Sequence, residues 1–175
     1  IGLLLRFYEP QKGRILIDGV DLKDIPKREL RSKIGLIQQD VFVFSGRVEE
    51  NLTLWKSSES IRPETKSALQ SLEFPYALDK ELDERGSNLS MGEKQILAFA
   101  RALESNPDIW ILDEATSNVD SETEDRLGKA LEGATSNKTL LMIAHRLATI
   151  RRSDRIHKLD LVMLVKSAKT SATSY

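Results

Sequence analysis

The chain has 175 residues, 40% of them hydrophobic and 30% charged, with 26 Lys and Arg set against 27 Asp and Glu. That is one domain's worth of sequence, its mixture excludes wholesale disorder, and a formal net charge of −1 gives no ground for expecting a nucleic-acid partner. The lack of cysteine excludes disulfides, thiolate zinc sites and thiol catalysis, and no apolar run approaches the ~20 residues that cross a bilayer.

Ile1, Leu4, Leu5 and Tyr8 recur at helical spacing and predict an opening helix that Pro10 and Gly13 end. A helix that begins in mid-stripe with no cap before it reads as cut, so the chain is expected to be a fragment of something longer. Arg14 to Gly19 reads as a short strand closed by an Asp-Gly turn. Lys23 to Arg31 is polar and suits a turn and a brief helix. Ile34 to Ile37 is an apolar run of strand length, followed by Gln38, Gln39 and Asp40. Val41 to Phe44 is apolar again before Ser45-Gly46 turns the chain. Val48 to Leu54 opens a helical region, Ser57 to Pro63 is loop-like, and Glu64 to Leu72 reads as a helix ended by Phe74-Pro75.

Ser90 and Glu93 form a capping box ahead of the apolar face of Ile96, Leu97, Phe99, Ala100 and Leu103, and Asn106-Pro107 stops that helix. Ile109 to Leu112 is apolar at every position, the pattern of a strand buried on both faces of a parallel sheet. Asp120 or Ser121 caps the next helix, which carries Leu127, Ala130 and Leu131 and ends near Gly133. Thr139 to Ala144 is a second buried strand, Leu147 to Arg152 a short helix, and Arg155 to Val165 strand-like; the stretch after it lacks a core pattern. Strands alternating with helices imply an α/β domain with a mostly parallel sheet.

Four places carry candidate chemistry. Asp113 and Glu114 follow a buried strand, at the sheet edge where open α/β folds bind ligands. One acid there can hold Mg²⁺ through water and the other can orient an attacking water; the same pair would also serve as solvated acids capping the next helix. His145, after the Thr139–Ala144 strand, can donate to a phosphate oxygen, or simply pack or cap. Gln39 follows the Ile34–Ile37 strand and can ligate Mg²⁺ or position water, with Gln38 beside it leaving the assignment open by one residue. At Asn88 to Gln95 the capping box accounts for Ser90 and Glu93 but not for Gly92, since Gly in a first helical turn costs up to ~1 kcal/mol relative to Ala. Gly there lets a bulky ligand approach a helix end whose partial positive charge and free N–H groups seat an anion.

Together, in this order, these elements resemble the nucleotide-binding domain of ABC ATPases. Leu89-Ser90-Met91-Gly92-Glu93 is similar to the family signature LSGGQ, with Met for the first Gly and Glu for Gln. Ile109 to Glu114 resembles the Walker B strand with its catalytic Glu, Ser117 to Asp120 the D-loop, His145 the switch His and Gln39 the Q-loop Gln. Leu5 to Pro10, Phe44-Ser45-Gly46 with Glu50-Asn51-Leu52, and Glu84-Arg85-Gly86 resemble exporter-type members, in which the Glu-Arg-Gly segment lies near the coupling helices of the membrane domain.

The resemblance implies a P-loop NTPase-like, mostly parallel sheet with flanking helices and a small helical subdomain carrying the signature. It places a partial nucleotide-binding domain at 1–165, the helical subdomain at about 48–105 and a disordered tail at 166–175. It implies ATP and Mg²⁺, a second nucleotide-binding domain paired head to tail, transmembrane domains as partners, and a position on the cytoplasmic face of a membrane. Glu114 would polarise water and His145 hold the γ-phosphate; Asp113 and Gln39 would serve the metal; Ser90, Met91, Gly92 and Glu93 would face the ATP of the other protomer, and Asp120 would link the two sites.

The sequence departs from the family in three places. There is no G-x-x-x-x-G-K-[ST], so the chain as it stands is expected to bind ATP weakly and turn over none at a useful rate. Leu72 to Glu84 is short for an exporter, and His157 to Tyr175 lacks the Gly turn and hairpin of the family. A non-catalytic ABC-like binding module is therefore a second expectation. A DNA-repair or chromosome-type ABC ATPase is a third, against which stands the lack of a coiled-coil insertion between Gln39 and Ser90.

Overall fold

Strand β6 (Ile109–Asp113) lies between β3 (Ile34–Gln38) and β7 (Thr139–Ile143), parallel to both. The computed structural model describes residues 1–54, 61–113, 119–143, 154–159 and 163–168. The apolar run of β6 serves two cores at once, because successive side chains of a strand point to opposite faces. Trp110 joins a core with Phe99, Leu97 and Met142, while Ile111 joins another with Leu5, Leu22, Leu30 and Ile34. Both are fully buried.

The sheet order is β3-β6-β7-β9-β8, with β8 (Arg155–Leu159) and β9 (Met163–Ala168) completing the edge. Only β9 runs against the rest, pairing antiparallel with both β7 and β8. This is the expected mostly parallel sheet. One small ribbon precedes it, β1 (Leu16–Ile17) with β2 (Val20–Asp21). Asp18 and Gly19 between them have φ of 49° and 84°, the left-handed pair that a tight hairpin requires. A short helix α1 (Lys27–Ser32) leads into β3.

The helical part is built from α2 (Val48–Thr53), α3 (Pro63–Ser71) and α4 (Met91–Ser105), with a two-strand ribbon of β4 (Gly46–Arg47) and β5 (Glu81–Leu82) beside them. Helix α4 packs on α2, α3 and β3, so it joins the helical part to the sheet. It starts at the Ser90 cap and ends at Asn106, whose left-handed φ of 46° is followed by Pro107. Helix α5 (Ser121–Thr135) follows β6 and is capped by Asp120 rather than Ser121. Among the described residues no helix is long and apolar enough to cross a membrane.

Three expectations are corrected. The opening stripe forms one helical turn, not a helix to Tyr8. The N–H of Phe7 donates to the Gly2 carbonyl at 2.9 Å and that of Arg6 to Leu3 at 3.1 Å, with Arg6 at φ 52°, which is a helix C-terminus closed by a left-handed residue. Arg31 then holds it from outside, its Nε donating to the Leu5 carbonyl at 3.0 Å. The C-terminal region, read as lacking a hairpin, forms the antiparallel ladder of β8 and β9 without a Gly turn, because β7 offers an outer edge that β9 satisfies from Leu140 to Ile143. That ladder runs through Ala168, into the first residues of the stretch 166–175 expected as a disordered tail. The short helix expected at Leu147 to Arg152, the residues 57–60 of the expected loop and 169–175 lie outside the described residues.

The passage from α4 to β6 generates a test of packing. A Cβ added to Gly35 would lie 2.6 Å from Cγ of Pro107, a ring atom that cannot swing away. Gly35→Ala is expected to destabilise the chain by about 1–3 kcal/mol, as overpacked core substitutions do. Urea unfolding with an unchanged midpoint would contradict this.

Candidate functional site

The parallel ladder brings three strand ends side by side: Gln38 opposite Asp113, and Asp113 opposite Ile143. Gln39 follows Gln38 directly and is half-buried, as is Asp113. The candidates Gln39 and Asp113 therefore lie at one edge of the sheet, as the strand pattern requires. Glu114 and His145 lie outside the described residues.

The second group forms at helix starts. The Ser90 backbone is extended at φ −66° and ψ 165°, and its side chain and that of Glu93 satisfy each other's amides. The Glu93 N–H donates to Ser90 Oγ at 3.2 Å and the Ser90 N–H to Glu93 Oε2 at 2.7 Å. This arrangement uses Ser90 Oγ as an acceptor and leaves its hydroxyl proton available to a ligand. Met91 is exposed and Gly92 half-buried. A Cβ on Gly92 would meet Thr123 Cγ2 at 3.5 Å and Val119 Cγ1 at 3.8 Å, ordinary contacts, so the chain's own packing does not demand glycine there.

Asp120 caps α5 in the same cleft. Its Oδ1 accepts from the Thr123 N–H at 2.9 Å, and this bond holds its carboxyl below the usual Asp range. Ser90, Met91, Gly92, Glu93 and Asp120 line one cavity of about 380 Å³, with Thr123 and Arg126 on its far wall. Arg126 reaches out of α5 to Glu73 at 2.6 Å, joining α5 to the end of α3. The candidate residues thus divide into two groups on one chain: Gln39 and Asp113 at the strand ends, and Ser90 to Glu93 with Asp120 at the helix starts. Neither Gln39 nor Asp113 lines the cleft.

Three polar side chains outside the candidate set anchor backbone beside these groups. Gln95 is 3% exposed within the apolar face of α4, and its Nε2 donates to the Gln39 carbonyl at 3.0 Å. Asn51, fully buried, bonds both ways with Phe44: it accepts from the Phe44 N–H at 2.9 Å and donates to its carbonyl at 2.9 Å. Arg101 donates to the Asn51 carbonyl at 2.8 Å, Asn51 Oδ1 at 3.1 Å and the Phe42 carbonyl at 2.9 Å. One signal does exist for Gln95: it falls on the buried face shared by Phe99 and Ala102, four and seven residues on, where a polar residue needs a reason. Above this cluster Phe42 and Phe44 meet edge to face at 4.7 Å, both exposed. Nearby, Gly86 at φ 61° packs on Val43, while Glu84 and Arg85 are exposed.

Chemically, the start of α4 can take an anion through its first free amides and the Ser90 hydroxyl. The strand-end group offers oxygen ligands from Asp113 and Gln39. Among the described residues no three metal-binding side chains cluster. One carboxylate and one amide suit Mg²⁺, which keeps several waters and is held largely through substrate phosphates.

The family described as ABC transporter matches residues 1–117. An uncharacterised ABC transporter ATP-binding protein of Bacillus subtilis, YwjA, is 49% identical over 161 residues, covering 89% of this chain and 28% of the relative. The ABC multidrug transporter mdr2 of Aspergillus fumigatus is 45% identical over 161 residues, covering 89% of this chain and 20% of its own length. Among solved structures, a bacterial Atm1-family ABC exporter with ATP bound superposes with a TM-score of 0.79 at 39% identity, over 87% of this chain and 28% of the other. The chain spans less than a third of the length of these relatives.

The Asp120 cap generates a pH prediction. Its folded-state pKa is depressed, so the stability it contributes is complete above the ordinary Asp pKa of about 3.9 and is lost as pH falls through the lower folded value. Asp120→Asn keeps an acceptor oxygen but not the charge. Wild type should melt above this variant near neutral pH, with the gap closing as the pH is lowered through the acid range. A gap that stays constant down to strong acid would contradict the assignment.

Proposed function

This chain belongs to the ABC transporter family, and on that premise we propose that it is the ATP-binding and ATP-hydrolysing part of a membrane exporter. The observation that carries the reading is the division of the site into two groups. A nucleotide bound between two such domains, head to tail, would meet the strand-end group of one and the helix-start group of the other. One chain with both groups in separate places is what such a sandwich requires.

In this reading Ser90 donates its hydroxyl proton to the γ-phosphate of the partner's ATP, and the first amides of α4 receive the same anion. Gly92 keeps the helix start open to it, with Met91 and Glu93 flanking. Asp120, the cap of α5, would link one site to the other. Gln39 and Asp113 would hold Mg²⁺, which when bound neutralises phosphate charge. Glu114 orients and polarises water, and His145 holds the γ-phosphate. Catalysis of this kind is positioning and charge stabilisation. Glu93, where the family has Gln, adds a negative charge beside the anion seat and is expected to weaken nucleotide-driven pairing.

The nucleotide-binding domain spans 1–165, with its helical subdomain at about 48–105. The exposed Phe42, Phe44, Glu84 and Arg85 form the face turned to transmembrane domains, on the cytoplasmic side of a membrane. A second reading, a non-catalytic module that docks by its signature face, is favoured by one observation: the sequence contains no G-x-x-x-x-G-K-[ST]. On either reading the 175-residue chain by itself turns over little ATP.

The chain preceded by a phosphate-loop segment should release phosphate from ATP, and Glu114→Gln should slow it by about 10²–10⁴-fold, the range for removing a general base. Activity near wild type would remove Glu114 from that role. In the same protein Gly92→Ala should leave folding intact or raise stability by up to ~1 kcal/mol, while abolishing the ATP-induced dimer in light scattering. A dimer that survives the added methyl would mean that no ligand approaches Gly92.

A further inference from the structure

We infer that Gln95 is a positioning residue that holds the backbone carrying Gln39 and ties it to the ligand-facing end of α4. Gln95 stands in a run of six consecutive buried residues, Gln95 to Ala100. Its Nε2 reaches two carbonyls where β3 leaves the sheet, Gln39 at 3.0 Å and Gln38 at 3.5 Å. Carbonyls only accept, so the orientation of the amide is set by chemistry. Its Oε1 is buried without a hydrogen-bond partner among the described residues.

Burying an unpaired acceptor is costly, and Met or Leu would fill the same volume on the same apolar face without the cost. Packing therefore does not select Gln here. What Gln supplies, and an apolar residue cannot, is the donor to the two carbonyls. Without it the part-buried carbonyls of Gln38 and Gln39 would lose this donor, and Gln39 its fixed departure from the sheet.

The position on the helix gives the contact a consequence. Gln95 is five residues from Ser90, about 7.5 Å along one rigid helix. In the proposed ATPase function, on which this part rests, Ser90 faces the partner's nucleotide and Gln39 faces the chain's own. Gln95 is then the link through which a shift of α4 on closure reaches Gln39 in the other site.

The test uses two substitutions of similar length. Gln95→Met removes the donor, and Gln95→Lys returns N–H donors to the same carbonyls. Amide hydrogen exchange of residues 38–44 should accelerate about 10-fold in the Met variant, while peptides of β6 and the rest of α4 keep their protection, and the Lys variant should recover slow exchange. Unchanged exchange in the Met variant, or a Lys variant as loose as Met, would overturn the inference. If the Met variant does not fold, a folded Lys variant with native exchange supports the donor role, and a Lys variant that also fails overturns it. In the ATPase-competent protein, Gln95→Met should lower kcat and raise the half-saturating Mg²⁺ by about 10-fold or more, as loss of a ligand's supporting contact does, with KM for ATP within about twofold. A fall in kcat with unchanged Mg²⁺ dependence would overturn the link to Gln39. Failure of the ATPase reading is seen separately, since Glu114→Gln would then also be without effect.

Discussion

Trp110 and Ile111 are adjacent, fully buried, and committed to opposite faces of the sheet, and this pair of commitments fixes the placement of the strand ends. A slip of β6 by one residue would put the indole among Leu22 and Leu30 and leave the space beside Phe99 to an aliphatic chain. Each of these side chains contributes about 1.5–3 kcal/mol by burial, so the slipped register is strongly disfavoured. The register in turn sets Asp113 opposite Gln38 and Ile143. The sheet edge that carries Gln38 and Asp113 is thus positioned by hydrophobic packing several residues away. Pro107 and Gly35 add a second constraint, since the proline ring occupies the space a side chain at 35 would need.

The helix-start group is positioned by a different force. Ser90 and Glu93 close the first turn of α4 on themselves, and Asp120 does the same for α5 through Thr123. These are local hydrogen bonds, fixed by spacing along the chain rather than by the core. They leave the amides of Met91 and Gly92 facing a cleft whose other wall is α5. The Arg126–Glu73 bridge joins α5 to the end of α3 at this cleft. Because Glu73 is largely exposed, that bridge contributes little by itself, about 0–1 kcal/mol. It ties α5 to the chain just past α3, beside a cavity lined by Leu72, Pro75, Ile96 and Val119 as well as by polar groups.

Legibility in the sequence divides in the same way. The strands Ile34–Ile37, Ile109–Leu112 and Thr139–Ile143 are continuous apolar runs that can be read directly, as can the capping box at Ser90. The Asp120 cap is legible down to a choice between two neighbours. The opening turn is not, because the apolar spacing of Ile1 to Tyr8 is helical while the left-handed Arg6 that ends it has no side-chain signal; Gly or Asn would announce it. The β8–β9 ladder is hidden for a related reason: pairing there answers the free edge of β7, a demand that arises from a strand about twenty residues away. Val41 to Phe44 is apolar at all four positions and yet forms no strand. Its four apolar residues suit a strand, but Asn51 takes both backbone groups of Phe44 with its side-chain amide and so replaces a strand partner.

Arg101 completes that replacement and shows why α4 is more than a core helix. Its guanidinium is held by the Asn51 and Phe42 carbonyls and by Asn51 Oδ1, and burial lowers its pKa to about 10, leaving it charged at neutral pH. A buried cation satisfied by carbonyl oxygens is a costly arrangement, tolerated when it fixes backbone that has no ladder of its own. Here it fixes the loop that presents Phe42 and Phe44. Helix α4 therefore carries polar attachments to other segments along its length: Gln95 at the exit of β3, Arg101 beneath the two phenylalanines and Glu104, which accepts from the Arg62 N–H at the start of α3. Between them its remaining residues are packed against the sheet and against α2 and α3. A helix held at Gln95 and Arg101, and packed along its length, resists local displacement: moving either end would strain the bonds to the Gln39 backbone and to the loop of Phe42 and Phe44 together.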